Sequence, residues 1–564
     1  MRFHHWQLPK HLLTDSYKTT HPFLYPEAQQ MVAYSEFRAP FDKDQTDRRI
    51  VLYGLRYLVQ TYLEQRWTQD ELNSATEFFK THRASLDPSD PSKSEFPFPR
   101  DLFQKMIDEN DGYFPVTISA LPEGSVIYPH TPALQITAKG EYSRLVTYLE
   151  TILTHLWYPS TVATLSRRCK DIIHDYFMRS VDEDAFFLLN SRLHDFGFRG
   201  CTTVEQSVIG GCAHLLNFEG TDTLSAAYFA QFELNDRKPV ATSIPATEHS
   251  IMTSYATERA AMTKLIETYG EGFCACVMDS YDYVNALENV LPAIKSVKLS
   301  KGGFLVLRPD SGDPVDVVVQ GLKAAEKVFG FVKNKKGYKV LNNCGIIQGD
   351  GISYHTINNI LNKITKLGYS AQNVAFGMGG GLLQKVNRDT MSFATKLCHI
   401  IYADGTERDV MKMPKTDAGK TSLPGCMGIS KDPTNFTPSV FPLTDIRAHK
   451  NAMVILYDCG KPVSWKWETF DQVRTRLNRE WAGTQFYKSH DCLSQEMKDK
   501  MVSTRQAQEE CNEEDKVLSN EPVSNSQSDS VVSAEDHPFG VRLQEFFQNL
   551  VKPKVVKRRN EKTG

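Results

Sequence analysis

Between about residues 184 and 390, short apolar runs recur and each stops at polar or glycine-rich residues. They are FFLLNSRLHDFGFRG, PVATSIPATEHS, FCACVMDSYD, GFLVLRPDSGDP, CGIIQGDG and NVAFGMGGG. Segments of helical spacing fall between several of them, such as SIMTSYATERAAMTKLIETYG and SYDYVNALENVL. Strand, polar loop and helix in repetition predict a parallel sheet or α/β barrel. Chemistry in such folds sits on loops at the carboxyl ends of the strands. Residues 1 to about 183 read differently, as mixed short strands and helices. There the run from Tyr142 to about Tyr176 has helical spacing interrupted at Pro159, and SLDPSDPSKSEFPFP (85–99) reads as an exposed loop. After 390, VILYDCGKPVSWKW alternates as a β-rich unit and FDQVRTRLNREW reads as a helix. Residues 496–535 are rich in Ser, Glu, Asp, Gln and Asn, a composition that predicts disorder, and the tail to 564 ends in a basic cluster.

Composition narrows this picture. A chain of 564 residues suits two or three domains. Lys+Arg 65 against Asp+Glu 68 leaves a net charge of -3, which argues against nonspecific nucleic-acid binding by the whole chain. No apolar run approaches the ~18 residues of a membrane helix, and the first residues show no secretory h-region. The 11 cysteines are scattered, with Cys274 and Cys276 inside an apolar run, so a reducing, cytoplasmic compartment is expected. The terminal KPKVVKRR is either a nuclear-localisation patch or a solvated tail.

Candidate chemistry falls at the ends of the apolar runs. Arg308 and Asp310 follow Phe304–Leu307, where a guanidinium can grip a phosphate and a carboxylate can take a ribose hydroxyl; a plain ion pair closing a turn is the alternative. Gly349, Asp350 and Gly351 suit ribose binding or a hairpin turn. Met378 to Gly381 precede a predicted helix and offer backbone N–H groups to a phosphate, with Arg388 further on. His249, beside Glu248, is a base, a phosphate ligand, a nucleophile toward phosphate or a structural residue. Arg199 and Asp222 are single charges that would ordinarily be surface groups. Together Arg199, Arg308, Arg388, Lys396, Lys412 and Lys420 can converge on one anionic ligand, while Asp282, Asp310 and Asp350 suit ribose hydroxyls and Mg²⁺.

LLTDSYKTTHPFLYP, LETILTHLWYPSTVAT, LHDFGFRG, FEGTDT, PATEHS, DSYD, RPDSGDP, IQGDG and FGMGGGLLQKVNRD occur in the order and spacing of the nicotinamide phosphoribosyltransferase family, which the chain resembles over about residues 12 to 490. The resemblance implies a type II phosphoribosyltransferase: an irregular α/β barrel (184–390), a second β-rich domain formed from N-terminal (1–183) and C-terminal (391–495) segments, and a disordered tail (496–564). It implies a homodimer with shared active sites that uses Mg²⁺, mainly through substrate phosphates, and ATP as co-substrate. The reaction implied is transfer of ribose 5-phosphate from phosphoribosyl pyrophosphate to nicotinamide. Phe196 and Tyr17 of the partner subunit would sandwich the pyridine ring, Asp222 would accept from its carboxamide NH₂, and Ser243 would be a further substrate-binding residue. Arg199 and Arg308 would meet the amide or the phosphates. Asp310, Gly349 and Asp350 would hold the ribose, and Gly379, Gly380 and Arg388 its phosphate. Arg38, Lys396, Lys412 and Lys420 would surround the pyrophosphate. His249, with Glu248, Asp282 and Asp310 near the chemistry, would be the histidine that ATP phosphorylates. Ser191, Phe198, Met278 and Met378 depart from the family's usual Tyr, Tyr, Ser and Ser. The competing readings are a nicotinate phosphoribosyltransferase, or a binding protein that keeps the fold without turnover.

Overall fold

The apolar runs become two separate sheets in the computed structural model, which describes residues 8–83, 95–484 and 491–520. In chain order the strands are β1 (Ala28–Phe37), β2 (Val116–Ala120), β3 (Pro132–Lys139), β4 (Leu193–Asp195), β5 (Phe273–Val277), β6 (Phe304–Arg308), β7 (Cys344–Gln348), β8 (Val374–Met378), β9 (Phe393–Tyr402), β10 (Glu407–Asp409) and β11 (Val454–Asp458). The helices that matter for the site are α1 (Trp157–Ser180), α2 (Val204–Leu215), α3 (Leu224–Phe232), α4 (His249–Ser254), α5 (Glu258–Tyr269), α6 (Pro314–Phe329), α7 (Tyr354–Lys366), α8 (Phe470–Gly483) and α9 (Gln495–Asn520). Contacts divide the chain into one unit of Met1–Gln506 and another of Ala507–Gly564.

The order β4-β8-β7-β6-β5 is parallel throughout. Its two edges are joined by isolated parallel bridges, Asp195 to Thr221, Gly220 to Thr242 and Ala246 to Ala275. The ring is therefore closed, with irregular backbone standing where regular strands would be. Small and branched side chains fill the lumen: Ala275, Val306, Ile347 and Ala375 form one layer, with Phe196, Ile244 and Phe304 packed against it. The second sheet, β10-β9-β1-β3-β2-β11, is antiparallel. Its longest pairing sets β1 against β9, from Phe37 opposite Phe393 to Ala28 opposite Tyr402. The β-rich domain is thus built from both chain ends, as expected.

Several local expectations change. FFLL forms part of a 3-10 turn, Glu183–Ser191, and the strand is the following Leu193–Asp195. The helix expected across SIMTSYATERAAMTKLIETYG is two, because Thr257 leaves helical geometry and caps Ala260 N–H with its hydroxyl. Pro159 interrupts nothing: it lies in the first turn of α1, where its missing N–H is not needed. Asp350–Gly351 is not a hairpin, since it links β7 to α7; Gly351 has φ +67°, and a β-carbon there would meet Pro314 at 2.8 Å. Residues 496–520, expected to be disordered, are helical in α9. That stretch holds no Gly or Pro and many strong helix formers, and Met497 is buried with Val32, Tyr34 and Cys398. The rest of the tail with its KPKVVKRR, and most of the 85–99 loop, lie outside the described residues.

The barrel core draws on segments far from it in sequence. Helix α1, from before residue 184, and Phe470, Val473, Leu477 and Trp481 of α8, from after 390, belong to the same apolar cluster as the barrel strands. On α8 the buried Glu480 accepts a hydrogen bond from Val126 N–H at 2.9 Å and pairs with Lys431. Burial pushes the Lys431 ammonium below its usual range, against the attraction of Glu480. Removing one member of a buried pair strands the other's charge. Glu480→Ala should therefore lower unfolding stability by about 3–5 kcal/mol, and Lys431→Met in the same chain should recover most of it. Denaturant melts of the single and double variants check this; no recovery would mean that α8 loses packing rather than a charge partner.

Candidate active site

The barrel strands end at one rim, and several of the polar residues singled out in the sequence stand there. After β4, Phe196 N–H donates to Met378 C=O at 3.0 Å, which ties the loop to the end of β8. The ring of Phe196 lies across Gly377, where a β-carbon would come within 2.0 Å of it, and beside Gly349, where one would lie 3.4 Å away. Gly377 is thus required by a residue on another strand. Asp195, just before it in the chain, is fully buried and accepts Gly197 N–H through Oδ1 at 2.7 Å, with the Thr223 hydroxyl also favouring its charge. Asp195 C=O accepts Asp222 N–H at 2.9 Å, so one residue fixes the backbone behind both Phe196 and Asp222. The Asp222 carboxylate is exposed and accepts Ser243 Oγ at 2.6 Å.

A second group adjoins the first around Asp310. Its carboxylate meets Arg308 Nη1 at 3.4 Å and His249 Nε2 at 3.4 Å. Arg308 also donates to Thr247 C=O at 3.4 Å, and the other His249 nitrogen, Nδ1, lies 3.0 Å from Ser280 Oγ. Asp279 positions the loop after β6 by accepting Asp310 N–H at 3.0 Å and Ser311 Oγ at 2.5 Å. A β-carbon on Gly349 would lie 3.6 Å from Asp310 Oδ1, which brings the two groups together. Next to Phe196 stand Gly379 and, across from Gly200, Gly380. The backbone between them opens the short helix Gly380–Leu383. Arg199 and Arg388 are exposed in short 3-10 turns, and Asp350 is exposed after β7.

The expected set is not all in one place. Arg38, Lys396, Lys412 and Lys420 lie on or beside the antiparallel sheet. Burial, with Arg38, Lys412 and Lys18 nearby and Glu150 opposing, pushes the Lys396 ammonium below its ordinary range. Arg38 Nε pairs with Glu36 at 2.8 Å, but its buried Nη2 has no hydrogen-bond partner. Among the described residues, no side-chain hydrogen bond or ion pair joins these cations or Tyr17 to the barrel rim. Asp282 makes local contacts. Its carboxylate caps Val284 and Asn285 N–H at 2.9 and 3.1 Å, a local helix-starting role, and the carboxylate of DSYD that touches the Asp310 loop is Asp279. Glu248 likewise precedes α4 as its N-cap and accepts the Ser250 hydroxyl. Of the four departures, Met278 and Met378 are buried in the core behind the rim, and Ser191 bonds back to Leu188 C=O at 3.1 Å; Phe198 is exposed.

Comparison with known proteins places the chain in a family. The Nicotinate phosphoribosyltransferase (NAPRTase) family matches residues 191–445, and the Nicotinamide phosphoribosyltransferase N-terminal domain matches residues 10–118. A nicotinamide phosphoribosyltransferase of Xanthomonas campestris is 38% identical over 479 residues, covering 83% of this chain and 97% of that one. The chain belongs to the nicotinamide phosphoribosyltransferase family. A second member, from Acinetobacter baylyi, is 30% identical over 460 residues, covering 75% of this chain and 88% of its own. The fold is shared with human nicotinic acid phosphoribosyltransferase (TM-score 0.54, 16% identity, 87% and 99% covered). It is shared also with a nicotinate-nucleotide pyrophosphorylase of Pyrococcus furiosus (TM-score 0.53, 14% identity, 86% and 98% covered). In this phosphoribosyltransferase, the positions that sequence reading passed over are Asp195, Gly377 and Asp279. All three lie inside quoted motifs, but their roles depend on residues from other strands.

Burial takes the Asp195 carboxyl up to about 6 from 3.8, against the Gly197 hydrogen bond and with the nearby Asp222 charge adding to the rise. Between those two values the folded protein holds a proton that the unfolded chain has released, so this residue costs stability as pH rises through that window. Asp195→Asn keeps the acceptor for Gly197. It should be more stable than the native chain near neutral pH by ~1–3 kcal/mol and lose that advantage at about pH 4. Melting curves of the two proteins across this range test it; an equal difference at every pH would show that ionisation is not the cause.

Proposed function

We propose that this family member transfers the 5-phosphoribosyl group of phosphoribosyl pyrophosphate to the ring nitrogen of nicotinamide, giving nicotinamide mononucleotide and pyrophosphate. The observation that carries the reading is the meeting, at one rim, of a flat aromatic shelf, an exposed carboxylate and a cation–carboxylate–histidine group. Phe196 offers the shelf for the pyridine ring, and Asp222, held by Ser243, accepts from the carboxamide NH₂. The same carboxylate repels the carboxylate of nicotinate, which favours the amide. As the bond from C1′ to pyrophosphate breaks, the ribose becomes oxocarbenium-like and the ring nitrogen must already lie in line. Asp310, Gly349 and Asp350 take the ribose hydroxyls. Gly379, Gly380 and Arg388 hold its phosphate, and Arg199 and Arg308 steady the amide or the departing anion.

The pyrophosphate end calls for further cations, and Arg38, Lys396, Lys412 and Lys420 supply them from the partner subunit, with Tyr17 closing the ring sandwich. Exposed Leu224, Tyr228, Ile251, Tyr255 and Tyr281 on the elements around the rim support such a homodimer, since exposed apolar patches mark contact surfaces. Magnesium suits the oxygen-rich rim, where Asp279 Oδ1 is buried without a hydrogen-bond partner near Asp310. Among the described residues no group of three or more His, Cys, Asp or Glu could hold a metal, so the ion would ride mainly on substrate phosphates, whose charge it would offset. His249 is half-exposed and held at both nitrogens, which supports its role as acceptor of the ATP γ-phosphoryl group: a P–O bond breaks, an N–P bond forms, and water later releases phosphate. All 11 cysteines are free thiols, which favours a reducing, cytoplasmic compartment. No helix among the described residues is long and apolar enough to cross a membrane.

Side-by-side assays with nicotinamide and nicotinate, with and without ATP, test the reading. Turnover should favour the amide, whereas a preference for nicotinate would reassign the substrate. In Asp222→Ser that preference should fall by roughly tenfold or more, consistent with the ~1–3 kcal/mol of one hydrogen bond to a charged group. Incubation with labelled ATP should place acid-labile phosphate on the native chain and none on His249→Ala. Label that persists in the variant would move the phosphorylated residue elsewhere.

A further inference from the structure

A cavity of about 490 Å³ lies away from the rim, between α2, α3 and the helical turn Leu55–Leu58 with the π-helical segment Val59–Leu63 that continues it. Its walls are mainly apolar, with Tyr57, Val208, Ile209 and Phe229 among them, and Gln60 adds an amide. Glu123 also lines it, and this residue is 7% exposed. Glu123 Oε1 accepts Gly54 N–H at 2.8 Å and Arg56 N–H at 3.1 Å, and the Leu55 N–H also favours the carboxylate, whereas among the described residues no donor lies within hydrogen-bond geometry of Oε2. Nor does a side-chain cation neutralise it directly. Arg56 lines the cavity too, but its guanidinium is committed to Gln60 Oε1 at 3.0 Å, Glu233 C=O at 3.2 Å and Glu468 C=O at 3.3 Å. Burial raises the Glu123 carboxyl above its ordinary range, and the backbone N–H groups and Arg56 pull the other way.

The cavity does not depend on an adjustable wall. Gly54 sits at φ +109°, and a β-carbon there would meet Pro159 at 2.3 Å, so the turn bearing the two N–H donors is locked against α1. Helix α2 forms the opposite wall with Val208 and Ile209, and its glycines hold it close to its neighbours: β-carbons on Gly210 and Gly211 would meet Tyr158 at 2.3 Å and Ala226 of α3 at 2.4 Å. A preformed, mostly apolar cavity with one buried acceptor aimed into it has the composition of a small-molecule site. The acceptor's sign decides the class, since a buried anion without an ion-pair partner favours a cation or a strong N–H donor.

We propose that this cavity is a second ligand site, one that takes a small aromatic cation with its ring among Tyr57, Val208, Ile209 and Phe229 and its N–H donors on Glu123 Oε2. The proposal stands apart from the transferase reading, because none of the residues assigned to that reaction lines the cavity. Benzamidine is a suitable probe, with neutral benzyl alcohol as the control, and saturation-transfer NMR on the full chain reads binding. Benzamidine should bind saturably and at least tenfold more tightly than benzyl alcohol. Glu123→Gln keeps the acceptor for Gly54 and Arg56 and removes the charge; it should erase most of that preference. Thr61→Arg, at the exposed edge of the cavity, should weaken benzamidine without touching a buried contact. Asp222→Ala should leave its binding unchanged. Loss of binding in Asp222→Ala with retention in Glu123→Gln would place the probe at the barrel rim and overturn the proposal. So would an absence of saturable binding, which would mean the cavity holds water alone.

Discussion

The Phe196 ring can occupy its place only because Gly377 has no side chain. The ring rests where a β-carbon would come within 2.0 Å, and that single packing constraint organises the rest of the rim. It ties the loop after β4 to the end of β8, brings Gly349 and Gly379 alongside, and leaves Asp195 buried just before it in the chain. With the ring fixed, Asp222 is fixed too, through the hydrogen bond between its N–H and the carbonyl of Asp195. A flat ligand meets a surface whose parts come from different strands but move little relative to one another, because closed parallel strands and a filled lumen hold them. In the proposed reaction, order at the rim is thereby established before substrate arrives.

Much of the barrel was legible because each strand ends abruptly where chemistry begins. Phe304–Leu307 followed by Arg308 and Asp310, and the glycines after Phe376, are patterns that local physics explains. What was not legible depends on long-range contact. Gly377 stood inside a quoted motif, yet nothing near it in sequence demands a missing side chain; Phe196 does. Asp279 and Asp282 in DSYD are alike in sequence for a similar reason. Both are carboxylates after the same strand, and only the loop from β6 selects the first while helix capping takes the second. The helix over Gln495–Asn520 was missed because a polar composition looks the same in a solvated helix as in a disordered tail, until one face finds Val32 and Tyr34.

Charge distribution separates what the chain does at each of its two sheets. The barrel rim carries the aromatic shelf and carboxylates with Arg308, while the cations Arg38, Lys396 and Lys412 gather by the antiparallel sheet. Burial first, and then the neighbouring Arg38, Lys412 and Lys18, depress the Lys396 ammonium there, with Glu150 opposing. Such a cluster persists in a folded chain where the surrounding structure over-determines it, and it is relieved by an anion. Phosphate groups are the natural counterpart to that arrangement.

The position of α8 has a consequence for how the molecule comes into being. Its Phe470, Leu477 and Trp481 complete the barrel core, although the last barrel strand ends at Met378. A nascent chain emerging from the ribosome therefore waits through roughly ninety more residues before its first-made core can be sealed. During that interval apolar surface is open to solvent and to chaperones, and truncation between Met378 and Phe470 leaves the barrel unfinished even though every barrel strand is present.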